Sequence, residues 1–321
     1  MAKAFLSLGD FGDCIYLCPC MKLVAEEDGE PVVLYGMNGL RDHDPFIPRL
    51  PIIAPLLEAQ DYIAAVLPFE EQVINYDASH FRRAGHPFGV TLCSLQASWL
   101  HLTPDCASPW LKVSKRTPLE IVVARSARYR NHHFPWRELV DRFGKNMHFV
   151  GLDHEYVEFC GEFGHVERLV TEDLLDVAEA IAGSELFIGN QSSPFAIAEG
   201  LKHNVILEVS LDSPDCIYRR GNAVHCHDGG LNVEILGHKF SSPPFKMMSR
   251  AHLGETPPGG WRVRVGGHTA QSYALEAVLQ EIKMKLRSNG RPIPPDLNEL
   301  VIEQSSVDLP PPPPMGPIIQ I

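Results

Sequence analysis

Apolar runs and helix-compatible segments alternate along the chain as far as Val209. Residues 2–8, 31–35, 62–67, 72–76 and 110–113 read as strands, with helices at 14–27, 47–59 and 91–101 between them. A polar, proline-ended stretch at 114–118 suits a linker. A second series follows, with strands at 119–124, 147–150, 166–169, 186–188 and 205–209 and helices at 135–143, 155–161, 172–182 and 194–202. This alternation predicts doubly wound parallel sheets in two tandem α/β domains. Thr171 has the form of an N-cap, followed by acids and then by Leu174, Leu175, Val177, Ala178 and Ile181 as one apolar face. After Ser210 the pattern weakens into loops rich in Gly and Pro. A last helix is expected at 270–287, ending at Asn289-Gly290. From Arg291 the prolines multiply, including the run 310–314, and an extended tail without a core is expected. The predicted division is 1–114, 115–290 and the tail 291–321.

Two stretches read as function-bearing loops. Phe5, Leu6 and Leu8 end in the turn Gly9-Asp10-Phe11-Gly12-Asp13, which passes into a helix, a strand–turn–helix unit. Leu186-Phe187-Ile188 ends in Gly189-Asn190-Gln191-Ser192-Ser193-Pro194, and a helix and a strand follow, the parallel crossover of an α/β fold. A helix that starts just after a Gly/Ser loop offers unpaired N–H groups and a positive dipole end to an anion such as a diphosphate.

The 321 residues suit two domains of ordinary size with soluble globular composition. A formal charge of −12 weighs against a chain whose main task is coating nucleic acid, without excluding a local basic site. The N-terminus runs straight into the first strand, so no signal peptide is expected, and no apolar stretch of about 18 residues suggests a spanning helix. The eight cysteines lack the spacing of a secreted disulfide framework and read as reduced, mostly buried thiols of a cytoplasmic protein. Cys14, Cys18 and Cys20 lack the second pair that a zinc site needs. In His225-Cys226-His227-Asp228, strand alternation puts the two histidines on one face and Cys226 on the other.

Gly9-Asp10-Phe11-Gly12-Asp13-Cys14-Ile15 followed by Pro19 resembles the N-terminal "GD-x-GD-hydrophobic … P" segment of heptosyltransferase-like glycosyltransferases. Phe134-Pro135-Trp136 is similar to that family's "K-R-W-P" segment. Gly189–Pro194 with Ala196, Ala198, Gly200 and Leu201 is similar to its "G-N-D-S-G-P-x-H-x-A-A-A-L-G" loop and helix. The three segments come in the family's order over roughly residues 3–209. Gln191 stands in place of Asp, Ser193 in place of Gly, 195–197 lack the His, and His132-His133 or Arg130 replaces the Lys-Arg. These departures bear on the sugar more than on the fold, and the divergent loops would suit a phage or viral relative. The resemblance implies an α/β GT-B fold of two facing Rossmann-like domains with parallel sheets. It also implies metal-independent, inverting transfer from a nucleoside diphosphate sugar, which is the donor substrate rather than a resident cofactor.

Such a reaction needs a base, a cationic diphosphate site and a receptive acceptor groove. Asp13 is the candidate base, since the family's catalytic Asp maps to it, with Asp10 in reserve; the plain alternative is that Asp13 only caps a helix. Arg125, Arg128 and Arg130 lie just past a strand's C-terminal end, where ligands of open α/β sheets bind, and are candidates for the diphosphate; the alternative is a solvated loop. Asn190, Gln191, Ser192 and Ser193 complete the clamp, and Pro194 suits a first helical turn. Glu199 either reaches a ribose hydroxyl or faces solvent. Phe134 and Trp136 read as core. The segment 77–99, with His80, Arg82, Arg83 and His86, is locally basic and suits an anionic acceptor, whether a glycan, a lipid-linked group such as a lipopolysaccharide core phosphate, or a hydroxymethylated base in DNA. A non-catalytic nucleotide-sugar binder and an epimerase of the same architecture are the competing readings. Oligomeric state is not legible.

Overall fold

Strand-forming runs assemble into two parallel sheets, seen in a computed structural model that describes residues 2–38, 46–84, 91–116, 118–210, 216–226 and 231–242. The expected helix at 270–287 and the tail 291–321 lie outside those residues. In the first sheet β1 (Ala4–Ser7), β2 (Val32–Gly36), β3 (Ile63–Pro68) and β4 (Tyr76–Asp77) lie in the order β3-β2-β1-β4. Helices α1 (Phe11–Asp28) and α2 (Leu50–Glu58) connect its first three strands, and α3 (Leu92–Trp99) follows β4.

The second sheet is built from β5 (Leu119–Ala124), β6 (Met147–Phe149), β7 (Glu167–Arg168), β8 (Ser184–Asn190), β9 (Val205–Glu208) and β10 (Ala223–Cys226). Its order, β10-β9-β8-β5-β6-β7, is that of a doubly wound sheet whose strand sequence reverses between β5 and β8. Helices α4 (Trp136–Phe143), α5 (Asp153–Phe163), α6 (Leu174–Gly183) and α7 (Ser193–Gly200) alternate with its strands. The antiparallel hairpin β11 (Asn232–Ile235) and β12 (His238–Ser241) closes the described chain. The expected two parallel α/β units are therefore present. No helix among the described residues is long and apolar enough to cross a membrane.

Strand alternation divides the second sheet's side chains between two cores. Ile121, Val123, Ile188 and Ile206 face a cluster with Phe134, Trp136 and Phe159. Val122, Ala124, Phe187, Val205 and Leu207 face a cluster that continues through α6 and α7 into α1, α2 and α3 of the first unit. Helix α1 packs on both α3 and α7, which buries every residue from Asp13 to Met21, Cys14, Cys18 and Cys20 included. Burial pushes the Cys14 and Cys20 thiols up to about 12, which makes them inert core groups, as expected.

Four expectations need correction. Residues 110–113 are not a strand. The Trp110 and Leu111 N–H groups donate to the Gly200 carbonyl at 3.0 and 3.1 Å, Lys112 N–H donates to Gln60, and the Tyr62 hydroxyl donates to the Trp110 carbonyl. The backbone groups of this apolar run are thus taken by a helix end and by side chains. Gly200 permits the approach, because a Cβ there would stand 2.7 Å from Leu111. The strand expected at 72–76 shrinks to Tyr76–Asp77. Asp173, not Thr171, caps α6, its carboxylate accepting from the Asp176 N–H at 2.9 Å. Beyond Ser210 the chain still adds β10 and the hairpin, whose mixed polar residues suit partly exposed strands and hide their periodicity.

His203, at the turn between α7 and β9, shares a 3.0 Å hydrogen bond with the Ser184 hydroxyl. Burial, and then Arg220 and Lys115, push its imidazole from 6.5 down to about 4. The unfolded chain therefore binds a proton that the folded one refuses between these values. Stability is expected to hold above pH ~6.5 and to fall as the pH drops towards ~4, with a slope of up to about 1.4 kcal/mol per pH unit. Denaturant titrations across that range will show the slope in the native chain and its loss in His203→Gln.

Candidate active site

Charged side chains from the loops at the two reversal points meet. In the first unit β1 ends at Ser7, whose hydroxyl accepts from the Gly9 N–H at 3.2 Å, and α1 begins at Phe11. Asp10 is the N-cap residue and Asp13 lies in the first turn, so the capping alternative for Asp13 does not hold. The buried Asp13 carboxylate pairs with Arg82 at 2.7 Å, across the β1/β4 reversal. Gln96 of α3 donates to the Asp13 carbonyl at 2.9 Å. A Cβ at position 9 would come within 2.5 Å of Asp13 Oδ2, so Gly9 makes the room this carboxylate occupies. Asp10 faces the other unit: Arg128 reaches it at 3.1 Å, and Arg49, stacked on Phe11, lies 3.9 Å away.

The second unit contributes two loops, after β5 and after β8, on either side of its own reversal. These strands run close together at Ala124 and Gly189, where a Cβ would stand 2.7 Å from the Ala124 carbonyl. Asn190 fixes one loop to the other. Its amide donates to the Ser126 and Arg128 carbonyls at 3.1 and 2.6 Å and accepts from the Ser126 N–H at 3.0 Å. Tyr129 is held in the left-handed region at φ 56°, a strain that this anchoring sustains.

The three arginines of the loop have different fates. Arg125 is buried against Glu208 at 3.1 Å, with Glu162 at 3.1 Å on its other side, which commits it to the structure. Arg130 makes two bonds to Glu158 at 2.5 and 2.8 Å, and these hold the Glu158 carboxyl below its usual range. Arg128, paired with Asp10 at 3.1 Å, is the most exposed of the three, at 47%. The Ser192 hydroxyl donates to the Asn190 carbonyl and does not cap α7, and Ser192 and Ser193 are partly exposed at that helix start, with Pro194 in the first turn. Gln191 accepts from the Ser210 N–H at 2.8 Å through Oε1, while its buried Nε2 has no partner among the described residues.

Glu199 neither faces solvent nor stands open to a ribose. It is fully buried and pairs with Lys202 at 2.6 Å and Arg220 at 3.0 Å. Phe134 and Trp136 are core, as expected. Among the basic residues of 77–99, Arg82 is turned to Asp13, and His86 lies outside the described residues. Sequence reasoning missed Glu208. This buried carboxylate at the end of β9 takes Arg125, the Asn131 N–H at 2.6 Å and the Trp136 indole at 2.8 Å. Burial pushes its carboxyl up, and these three donors oppose the shift. An acid within the run Val205-Ile206-Leu207-Glu208-Val209 was the available signal. No cluster of three or more metal-ligating side chains occurs among the described residues.

No family model and no curated protein matches the sequence. Solved structures do resemble the fold. Escherichia coli heptosyltransferase WaaC with ADP-2-deoxy-2-fluoro heptose is 14% identical, covers 71% of this chain and 93% of its own, and has a TM-score of 0.49. The iron-containing dodecameric glycosyltransferase TibC from enterotoxigenic E. coli is 13% identical over 89% of this chain and 76% of its own, with a TM-score of 0.47. E. coli ADP-heptose lps heptosyltransferase II is 11% identical over 70% and 90%, also at 0.47.

Removing the Glu208 carboxylate leaves Arg125 buried with only Glu162 beside it. Glu208→Ala is expected to lower unfolding stability by about 3–5 kcal/mol. Replacing both partners, as in Arg125→Met/Glu208→Met, is expected to recover most of the loss in the same urea titration.

Proposed function

We propose that this chain is an inverting glycosyltransferase that moves a sugar from a nucleoside diphosphate sugar to a hydroxyl acceptor in the crevice between its two units. The observation that carries the reading is the Asp10–Arg128 pair. It joins the acid-bearing start of α1 to the cationic loop after β5, beside the start of α7. Acid and anion-binding groups thus face one another across two crevices of the kind that bind ligands in open α/β sheets. The three sequence segments that resemble heptosyltransferase-like enzymes fall on these same loops.

In this reading the diphosphate lies at the α7 N-terminus and takes Arg128 from Asp10. The acceptor hydroxyl gives its proton to Asp13 while its oxygen attacks the anomeric carbon opposite the diphosphate, which leaves with the bonding electron pair. Arg82 and Gly9 orient the Asp13 carboxylate. Asn190 and Glu208 act one step back, holding the loop that carries Arg128. A second reading, a nucleotide-sugar binder without turnover, draws on Gln191 in place of the family's Asp and on the Arg82 pairing of the proposed base.

The test is product analysis with nucleoside diphosphate sugars and pooled glycan, lipid-linked and hydroxymethylated-DNA acceptors. Transfer with an inverted anomeric centre is expected, and Asp13→Asn should slow it about 10²–10⁴-fold with donor binding kept. Wild-type turnover in Asp13→Asn would remove Asp13 from the role of base. Donor binding without transfer by either protein would favour the second reading, and an altered free sugar without an acceptor would identify an epimerase.

A further inference from the structure

The proposed reaction gives Asp10 no step, yet Asp10 stands where the two units meet. As the N-cap residue of α1, its carboxylate would ordinarily accept from a backbone N–H of the first turn, and it makes no such bond. Its two oxygens are turned to guanidinium groups from different units. Arg128, on the loop after β5, donates to Oδ2 at 3.1 Å. Arg49, on the short turn Ile47–Arg49 that leads into α2, stands 3.9 Å from Oδ1. That second separation is a charge–charge contact, too long for a hydrogen bond.

The two arginines differ in what else holds them. Arg49 lies 4.4 Å over the ring of Phe11, which is itself buried and packs on Phe46, so its charged head is kept beside Asp10 by the first residue of the same helix. It is 25% exposed, against 47% for Arg128. An exposed pair such as Asp10–Arg128 is weak, and a diphosphate offers a guanidinium more charge than a carboxylate does. The 18 residues of α1 also direct their positive dipole end at Asp10, which stabilises its charge once a cation has left.

We propose that Asp10 competes with the donor's diphosphate for Arg128 and passes to Arg49 when the diphosphate wins. Arg49 is then a positioning residue. It does not touch the nucleotide and acts through Asp10, by easing the removal of Arg128. The competition keeps the hold on the nucleoside diphosphate product loose after the sugar has been transferred. The proposal rests on the diphosphate site of the preceding subsection and adds to it a role for Asp10 other than that of a base.

The test is isothermal titration of UDP, ADP and GDP into the full chain and its variants, Arg128→Ala among them. Asp10→Asn removes the competing charge and keeps a residue type that suits an N-cap. It should bind the nucleoside diphosphate about threefold or more tighter than the native chain does. Arg49→Gln should bind it about threefold more weakly, and Arg49→Lys should keep most of the native affinity. In the Asp10→Asn background the effect of Arg49→Gln should vanish. Asp10→Asn binding no tighter than the native chain would overturn the exchange, and so would an Arg49→Gln effect equal in both backgrounds, which would put Arg49 on the nucleotide itself. Binding of none of these nucleotides, or binding that Arg128→Ala leaves unchanged, would remove the diphosphate site and this proposal with it. If Arg49→Gln folds poorly, the comparison of Asp10→Asn with the native chain decides alone.

Discussion

A buried carboxylate at the end of β9 governs the shape of the site. Glu208 is inaccessible to water and is surrounded by donors from one loop: Arg125, the Asn131 N–H and the Trp136 indole. An ionised carboxylate tolerates such a position only if its lone pairs are filled, so the path of residues 125–136 is dictated by what Glu208 requires. Asn190 fixes the near side of the same loop from β8. Between these anchors Arg128 is left to reach out of its own unit to Asp10. The exposed arginine of the proposed donor site is thus positioned by two residues that need never touch a ligand.

The two units are joined by more than that pair. Helix α1 packs on α7, and the core on that side of the second sheet runs without interruption into the first unit. The segment at 110–112 bonds to Gly200 on one side and to Gln60 and Tyr62 on the other. Lys202 stands over the Trp110 ring of this segment and pairs with the buried Glu199, which also takes Arg220. The packing between the two units is therefore built from buried contacts, with the Asp10–Arg128 pair more exposed than these.

Much of the fold was legible because its strands are short apolar runs punctuated by glycine and polar turns; β5 falls at 119–124 as expected. The run at 110–113 looked the same locally, and only its distant partners decide that it is not a strand. Helix α1 starts three residues before the expected Cys14, and this small shift moves Asp13 from a cap to the first turn. The charged residues were located but not paired. Arg125 and Glu208 are 83 positions apart, Asp13 and Arg82 are 69, and Asp10 and Arg128 are 118. Nothing in local composition separates an arginine committed to a buried acid from one held loosely at a rim.

The central claim, that a nucleoside diphosphate binds where Arg128 meets Asp10, is tested most directly by thermal shift. UDP, ADP, GDP and their sugar conjugates would be compared, with CMP as a monophosphate reference, on the native chain and on Arg128→Ala. The account predicts that one nucleoside diphosphate raises the native midpoint and that the variant needs about tenfold more of it for the same rise. No response to any diphosphate, or an equal response in Arg128→Ala, would contradict it.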